Sequence, residues 1–138
     1  MQDPYLNVDT AIERLYQEWK KYGKIIVATD WDDTLYDFHK KGFTYPKLVE
    51  ILKECQDLGF HIVVFTGSEK EKYPSILEGC KELGLNIAKI NENAFPMPIG
   101  NHGKIYFNLL LDDRGGLSSA YSILRKTLDK IYATANLP

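Results

Sequence analysis

The chain has 138 residues, 44% of them hydrophobic and 26% charged, with a formal net charge of -2. Such a length fits one domain, and such a composition belongs to a chain that folds without help, which excludes a disordered or bilayer-embedded class. Lysines and glutamates are interleaved, so no basic field binds nucleic acid by charge alone, and nucleic acid enters only as a substrate end.

The elements follow in order. Ile12, Leu15, Tyr16 and Trp19 recur at helical spacing and predict a helix over 9–22, with Gly23 as its stop. The β-branched run 24–30 has no polar alternation, as expected of a strand covered on both faces, and it ends on Asp30. Residues 44–58 predict a helix with Pro46 in its first turn and Gly59 behind it, and 60–66 a second buried strand. A helix over 73–83 stopped by Gly84, a strand over 86–90, an Asn-, Pro- and Gly-rich loop over 92–103, a strand over 105–111 and a helix over 117–132 complete the chain. Strand-helix alternation with short connections implies an α/β fold, a three-layer α/β/α Rossmann-like parallel sheet with helices on both faces. One domain over 1–138 is expected, with a helical segment 1–23 ahead of a core at 24–138. Cys55 and Cys80 fall in helices without metal spacing, and the start of the chain, Met1 to Asp9, lacks a basic-then-apolar signal. Core thiols and a cytoplasmic location are the expectation.

Ligands of such sheets gather beyond the carboxyl ends of the strands, where the strand order reverses, and the polar residues fall there. Asp30-Trp31-Asp32-Asp33-Thr34 places three carboxylates within four positions at the end of an apolar strand. Their repulsion is relieved by a divalent cation, and all-oxygen ligands suit Mg2+; the competing view is a solvated acidic turn. The second strand exits into Thr66-Gly67-Ser68, a hydroxyl and backbone donors able to hold a phosphoryl oxygen. The last strand exits into Asp112-Asp113-Arg114, a second acidic edge that can share one metal with the first. Lys104, expected to open that strand, is placed to offset phosphate charge, or else is an ordinary surface lysine.

Asp30-x-Asp32-x-Thr34, the strand ending at Thr66, a lysine and the strand ending at Asp112-Asp113 resemble, in order, the four motifs of haloacid dehalogenase-like hydrolases, of the small uncapped phosphatase type found in phages and bacteria. The resemblance spans the chain from Lys24 onward. It implies that Asp30 is a nucleophile forming an aspartyl-phosphate and that Asp32 is the acid and then the base. It further implies that Asp32 also lends its backbone carbonyl to the metal, that Thr34 orders the loop and that Thr66 binds the phosphoryl oxygen with Gly67 and Ser68. Asp113 would ligate Mg2+ directly with Asp112 in support. The motif-three lysine is Lys104, with Lys89 as its competitor.

Both customary cap positions are short, so no substantial cap is expected and the site should be open. An open site takes a nucleotide, a nucleic-acid end or another bulky phosphate, or borrows a lid from a second subunit of a homo-oligomer. Trp31, Tyr36, Phe38, His39 and Lys40 follow the nucleophile and suit either base stacking and phosphate grip or packing of a flap. The Asp112-Asp113-Arg114 string also resembles the acidic motif of polynucleotide 3'-phosphatases, but Ser68 stands where those carry an arginine, which weighs against a nucleic-acid end. Asn91, Glu92 and Asn93 leave the third strand toward the same edge, as leaving-group readers or as a plain turn, and His39, His61 and His102 pair with no nucleophile. Two rivals share the residues: a receiver-like phosphoacceptor, opposed by the late position of Asp112-Asp113, and a noncatalytic binding module of the same fold.

Overall fold

In the computed structural model, which describes residues 3–97 and 103–135, Ile26, Val27, Ala28 and Thr29 are all buried, as a central parallel strand requires. This strand, β1 (Ile26–Thr29), pairs in parallel with β2 (His61–Val64) on one side and β4 (Leu109–Leu111) on the other; β3 (Lys89–Ile90) pairs with β2. The sheet order β3-β2-β1-β4 makes an all-parallel α/β sheet whose order reverses between β1 and β4. The helices are α1 (Val8–Tyr22), α2 (Pro46–Asp57), α3 (Tyr73–Glu82) and α4 (Leu117–Ala135). Gly23 closes α1 with a left-handed φ of 79°, and its N–H meets the Trp19 carbonyl at 2.7 Å.

Alternation along each strand divides the core. Val27, Ile62, Val64, Leu109 and Leu111 join the larger cluster with Leu15, Ile51, Cys55, Ile76, Cys80, Leu124 and Leu128 of the four helices. Ile26, Ala28 and Val63 point the other way and form a smaller cluster with Ile105, closed by Ala94, Tyr106 and Phe107. The sheet is thus the middle of three layers in a Rossmann-like arrangement without a cap. Its second outer layer is thin, because the described part of the connection between β3 and β4 is irregular rather than helical. Pro96 and Gly103 suit that connection, and His102 lies outside the described residues.

All four strands are shorter than predicted, and at β4 and β3 amide side chains intercept the ladder. Asn108 Oδ1 accepts the Ile26 N–H at 2.7 Å, and Asn93 Oδ1 takes the Tyr106 N–H at 2.7 Å, so pairing begins only at Leu109 and Lys104 lies in the approach to β4, not at its opening. Gln56 Oε1 takes the Asn86 N–H at 2.6 Å, leaving β3 two residues long. Helix α4 runs three residues past the predicted end at Tyr132, secured where the Tyr16 hydroxyl donates to Thr134 Oγ1 at 2.7 Å. Cys55 and Cys80 are free, buried core thiols, and burial pushes both up to about 12, out of the reactive range. Among the described residues no helix is long and apolar enough to cross a membrane.

Candidate active site

The reversal point of the sheet brings the two acidic loops together. Asp30 follows β1, Asp112 follows β4, and the Asp30 N–H donates to the Leu111 carbonyl at 2.8 Å, so the loops leave the sheet side by side. Carboxylate oxygens of Asp30, Asp112 and Asp113 lie within 4.8 Å of one another. Thr34, fully buried, joins the loops: it accepts the Asp113 N–H at 3.1 Å, and its hydroxyl stands 3.4 Å from Asp30 Oδ2 and 3.5 Å from Asp113 Oδ1. One hydroxyl proton therefore serves two carboxylates, which leaves their mutual repulsion largely uncompensated. Asp112 turns partly inward to its own chain, accepting the Arg114 N–H at 2.9 Å.

Electrostatics follow from this crowding. Burial, then the hydrogen-bonding Asp113 carboxyl and the charge of Asp112, push the Asp30 carboxyl up to about 7. Asp32 is raised as well, by burial first and then by Asp33, while Lys72 and His39 pull it back. The donor set is all oxygen, without imidazole or thiolate among its members, and it suits a hard divalent cation such as Mg2+. Asp32 belongs to a different part of the site, since its carboxylate is not in the cluster and lines a neighbouring cleft instead.

The loop 31–36 is built to hold that division. The Trp31 carbonyl accepts the N–H groups of Leu35 at 3.0 Å and Tyr36 at 2.9 Å, and Asp33 sits in the left-handed region with φ 58°. Asp33 is turned away from the cluster, toward His39 Nδ1 at 2.5 Å. The expected flap is a small turn here, tied by Asp37 to the N–H groups of Lys41 and Gly42 at 2.9 and 2.6 Å.

Thr66 exits β2 on the same edge. Its hydroxyl accepts the Ser68 N–H at 3.1 Å and donates to Ser68 Oγ at 3.2 Å, so both residues form a small polar turn with Gly67 exposed between them. Asn91 latches this turn from the end of β3: its Oδ1 accepts the Thr66 N–H at 2.8 Å and its Nδ2 donates to the Thr66 carbonyl at 2.7 Å and to the Tyr73 hydroxyl at 2.8 Å. Asn91 and Asn93 are thereby occupied as braces rather than as readers of a leaving group. The left-handed φ of 55° at Asn91, a conformation that asparagine tolerates, is what aims its amide back at Thr66.

The lysines are distributed otherwise than expected. Lys104 and Lys89 are exposed, and among the described residues neither makes a hydrogen bond or ion pair with the aspartates. The lysine whose field acts on Asp32, alongside His39, is Lys72, the end of a 3₁₀ turn (Lys70–Lys72) that leads into α3. A surface lysine between Glu71 and Tyr73 carries no sequence signal, so only the fold places it near Asp32.

No protein-family profile and no curated protein matches the chain. Among solved structures, a conserved protein coded by a locus of Bacteroides thetaiotaomicron superposes with a TM-score of 0.61 at 23% identity, over 79% of this chain and 98% of that one. At that identity the likeness speaks for the fold alone.

Proposed function

We propose that the chain is a Mg2+-dependent phosphomonoester hydrolase of the haloacid dehalogenase-like kind, working through an aspartyl-phosphate on Asp30. The observation that carries this reading is the trio of Asp30, Asp112 and Asp113 at the sheet's reversal point, with the separate carboxylate of Asp32 facing the cleft beside it. Asp30, Asp112 and Asp113 would hold the metal, with the Asp32 carbonyl in support. The ion would supply neutralisation of the anionic phosphoryl group and of the carboxylates themselves.

Asp30 Oδ attacks phosphorus, the ester P–O bond breaks, and the leaving oxygen takes a proton from Asp32. Asp32 then takes a proton from water, the water oxygen attacks phosphorus, and inorganic phosphate departs as the Asp30 carboxylate is restored. A carboxyl raised by burial is suited to give a proton in the first half and take one in the second. The Thr66 hydroxyl and the turn that Asn91 braces would receive a phosphoryl oxygen. Lys72 takes the cationic place beside Asp32, and Lys104 remains the candidate expected from motif order.

The test is phosphate release from acetyl phosphate, sugar phosphates, nucleotides and phosphopeptides, with Mg2+ and with chelator, using Asp30→Asn as control. Release that needs Mg2+ and is lost in the variant supports the hydrolase. Phosphorylation of the protein without release identifies a receiver-like phosphoacceptor, and neither result leaves a binding module.

A further inference from the structure

A cleft of about 570 Å³ opens beside Asp32 between the 31–38 loop and α3, within the range of small-molecule pockets. Resting on the hydrolase reading, we infer that this cleft takes the leaving group of the substrate, and that this group is a planar aromatic ring of nucleoside size bearing no further phosphate. Asp32 lies in the cleft wall, so a leaving oxygen bound there is within the acid's surroundings.

The wall is aromatic. The rings of Trp31 and Tyr36 are parallel to within 2° with centroids 5.6 Å apart, and Tyr36 and Phe38 remain about half exposed at 46% and 50%. Half-exposed aromatic rings lining a cleft are surfaces for stacking a flat ligand. The floor is apolar, from Leu35, Ile76 and Leu83, which disfavours a sugar with hydroxyls on every face. Its depth depends on Gly79, because a Cβ there would stand 2.7 Å from the Trp31 ring, so only glycine lets the indole lie flush against α3.

Charge sorts the candidates further. Lys72 and Ser68 stand in the lining with Asp32, while Glu78 and Glu82 line the same cleft along α3. Those two carboxylates repel a diphosphate or an oligonucleotide and accept hydrogen bonds from ribose hydroxyls or an exocyclic amine. A nucleoside monophosphate meets all of these conditions.

The two tryptophans permit a direct test. With Trp19→Phe, Trp31 is the single indole, and its fluorescence is titrated with adenosine in the absence of Mg2+, so that binding is read without turnover. A saturable change, displaced by AMP but not by ribose 5-phosphate, and a Kd raised about tenfold or more by Phe38→Ala, is expected. No saturable change, or the same Kd in Phe38→Ala and Tyr36→Ala, overturns the inference. Tighter competition by ADP or a short oligonucleotide than by AMP overturns the part resting on Glu78 and Glu82. Adenosine binding without any phosphate release would spare the cleft and sink the hydrolase; release from acetyl phosphate without adenosine binding would do the reverse.

Discussion

Glu54 and Asp30 are both partly buried carboxylates, and the fold treats them in opposite ways. Glu54, on α2, receives the Arg125 guanidinium from two nitrogens and the Tyr132 hydroxyl at 2.9 Å, and Arg125 first, then Tyr132, hold its carboxyl below the ordinary range against the opposing effect of burial. Asp30, at the end of β1, receives a shared threonine hydroxyl at 3.4 Å and the company of two more carboxylates, and it rises to about 7. A chain able to satisfy one carboxylate so fully could satisfy the other. That it instead gathers three anions at the sheet's reversal point is the observation on which the proposed metal site rests. The Glu54 network is architecture joining α2 to α4; the Asp30 network is the one to which the proposed chemistry is assigned.

Substitutions sharpen the contrast, the largest effect expected at the proposed nucleophile. Asp30→Asn should lower turnover by about 10³-fold or more while leaving the circular dichroism spectrum unchanged, since an uncharged amide is a far weaker nucleophile than a carboxylate and relieves repulsion. Residual activity near wild type would move the chemistry elsewhere. Asp32→Asn should cost about 10²- to 10⁴-fold in kcat/KM, which reports the first half-reaction alone, for esters with poor leaving groups and distinctly less for acetyl phosphate, whose leaving group needs no proton. Equal losses on both would remove Asp32 from the acid role.

Stability against pH separates the two carboxylates by sign. A carboxyl raised in the fold holds its proton more tightly there than in the unfolded chain. The Asp30 contribution is therefore full below its ordinary value of 3.8 and is lost as pH rises toward about 7. Glu54, lowered in the fold, contributes above its ordinary value of 4.5 and loses that contribution as pH falls. Metal-free protein should thus show a Tm that falls by a few degrees from pH 5 to 8, and Asp30→Asn or added Mg2+ should flatten that slope. An unchanged slope in the variant would mean that Asp30 is not the strained group.

The smallest effect is at the satisfied carboxylate. Glu54→Gln keeps the shape but gives up the ion pair with a partly buried Arg125, at a cost of about 1 kcal/mol, read as a Tm lowered by roughly 3–6 °C. Its kcat should stay within about twofold of wild type, measured on the same substrate. A large loss of activity would show that the two regions are coupled after all.

The parts of the molecule legible in the sequence are those written in periodicity and in strand exits. Buried runs ending in Asp30, Thr66 and Asp112 mark β1, β2 and β4, and glycines at 23, 59 and 84 mark the stops; all three take left-handed φ values. The hidden parts depend on side chains that replace backbone. Asn93, Asn108 and Gln56 each take an N–H that the apolar pattern assigns to a ladder, so the predicted strands overran. The loop carboxylates were visible as a set, but their division was not: Asp113 faces Thr34, Asp33 faces His39, and Asp32 faces the cleft. Adjacent residues on a tight turn diverge by backbone angles that spacing alone does not encode, and the role of Lys72 needs the packing of α3 against the 31–38 loop.

The most direct measurement is chemical trapping of the phosphorylated aspartate. Protein quenched during turnover of acetyl phosphate with Mg2+ is reduced with borohydride, which converts an aspartyl-phosphate to homoserine, and its peptides are weighed and sequenced by mass spectrometry. Homoserine at position 30, absent with chelator, is the predicted result; homoserine at position 112 or 113, or none while phosphate is being released, would contradict it.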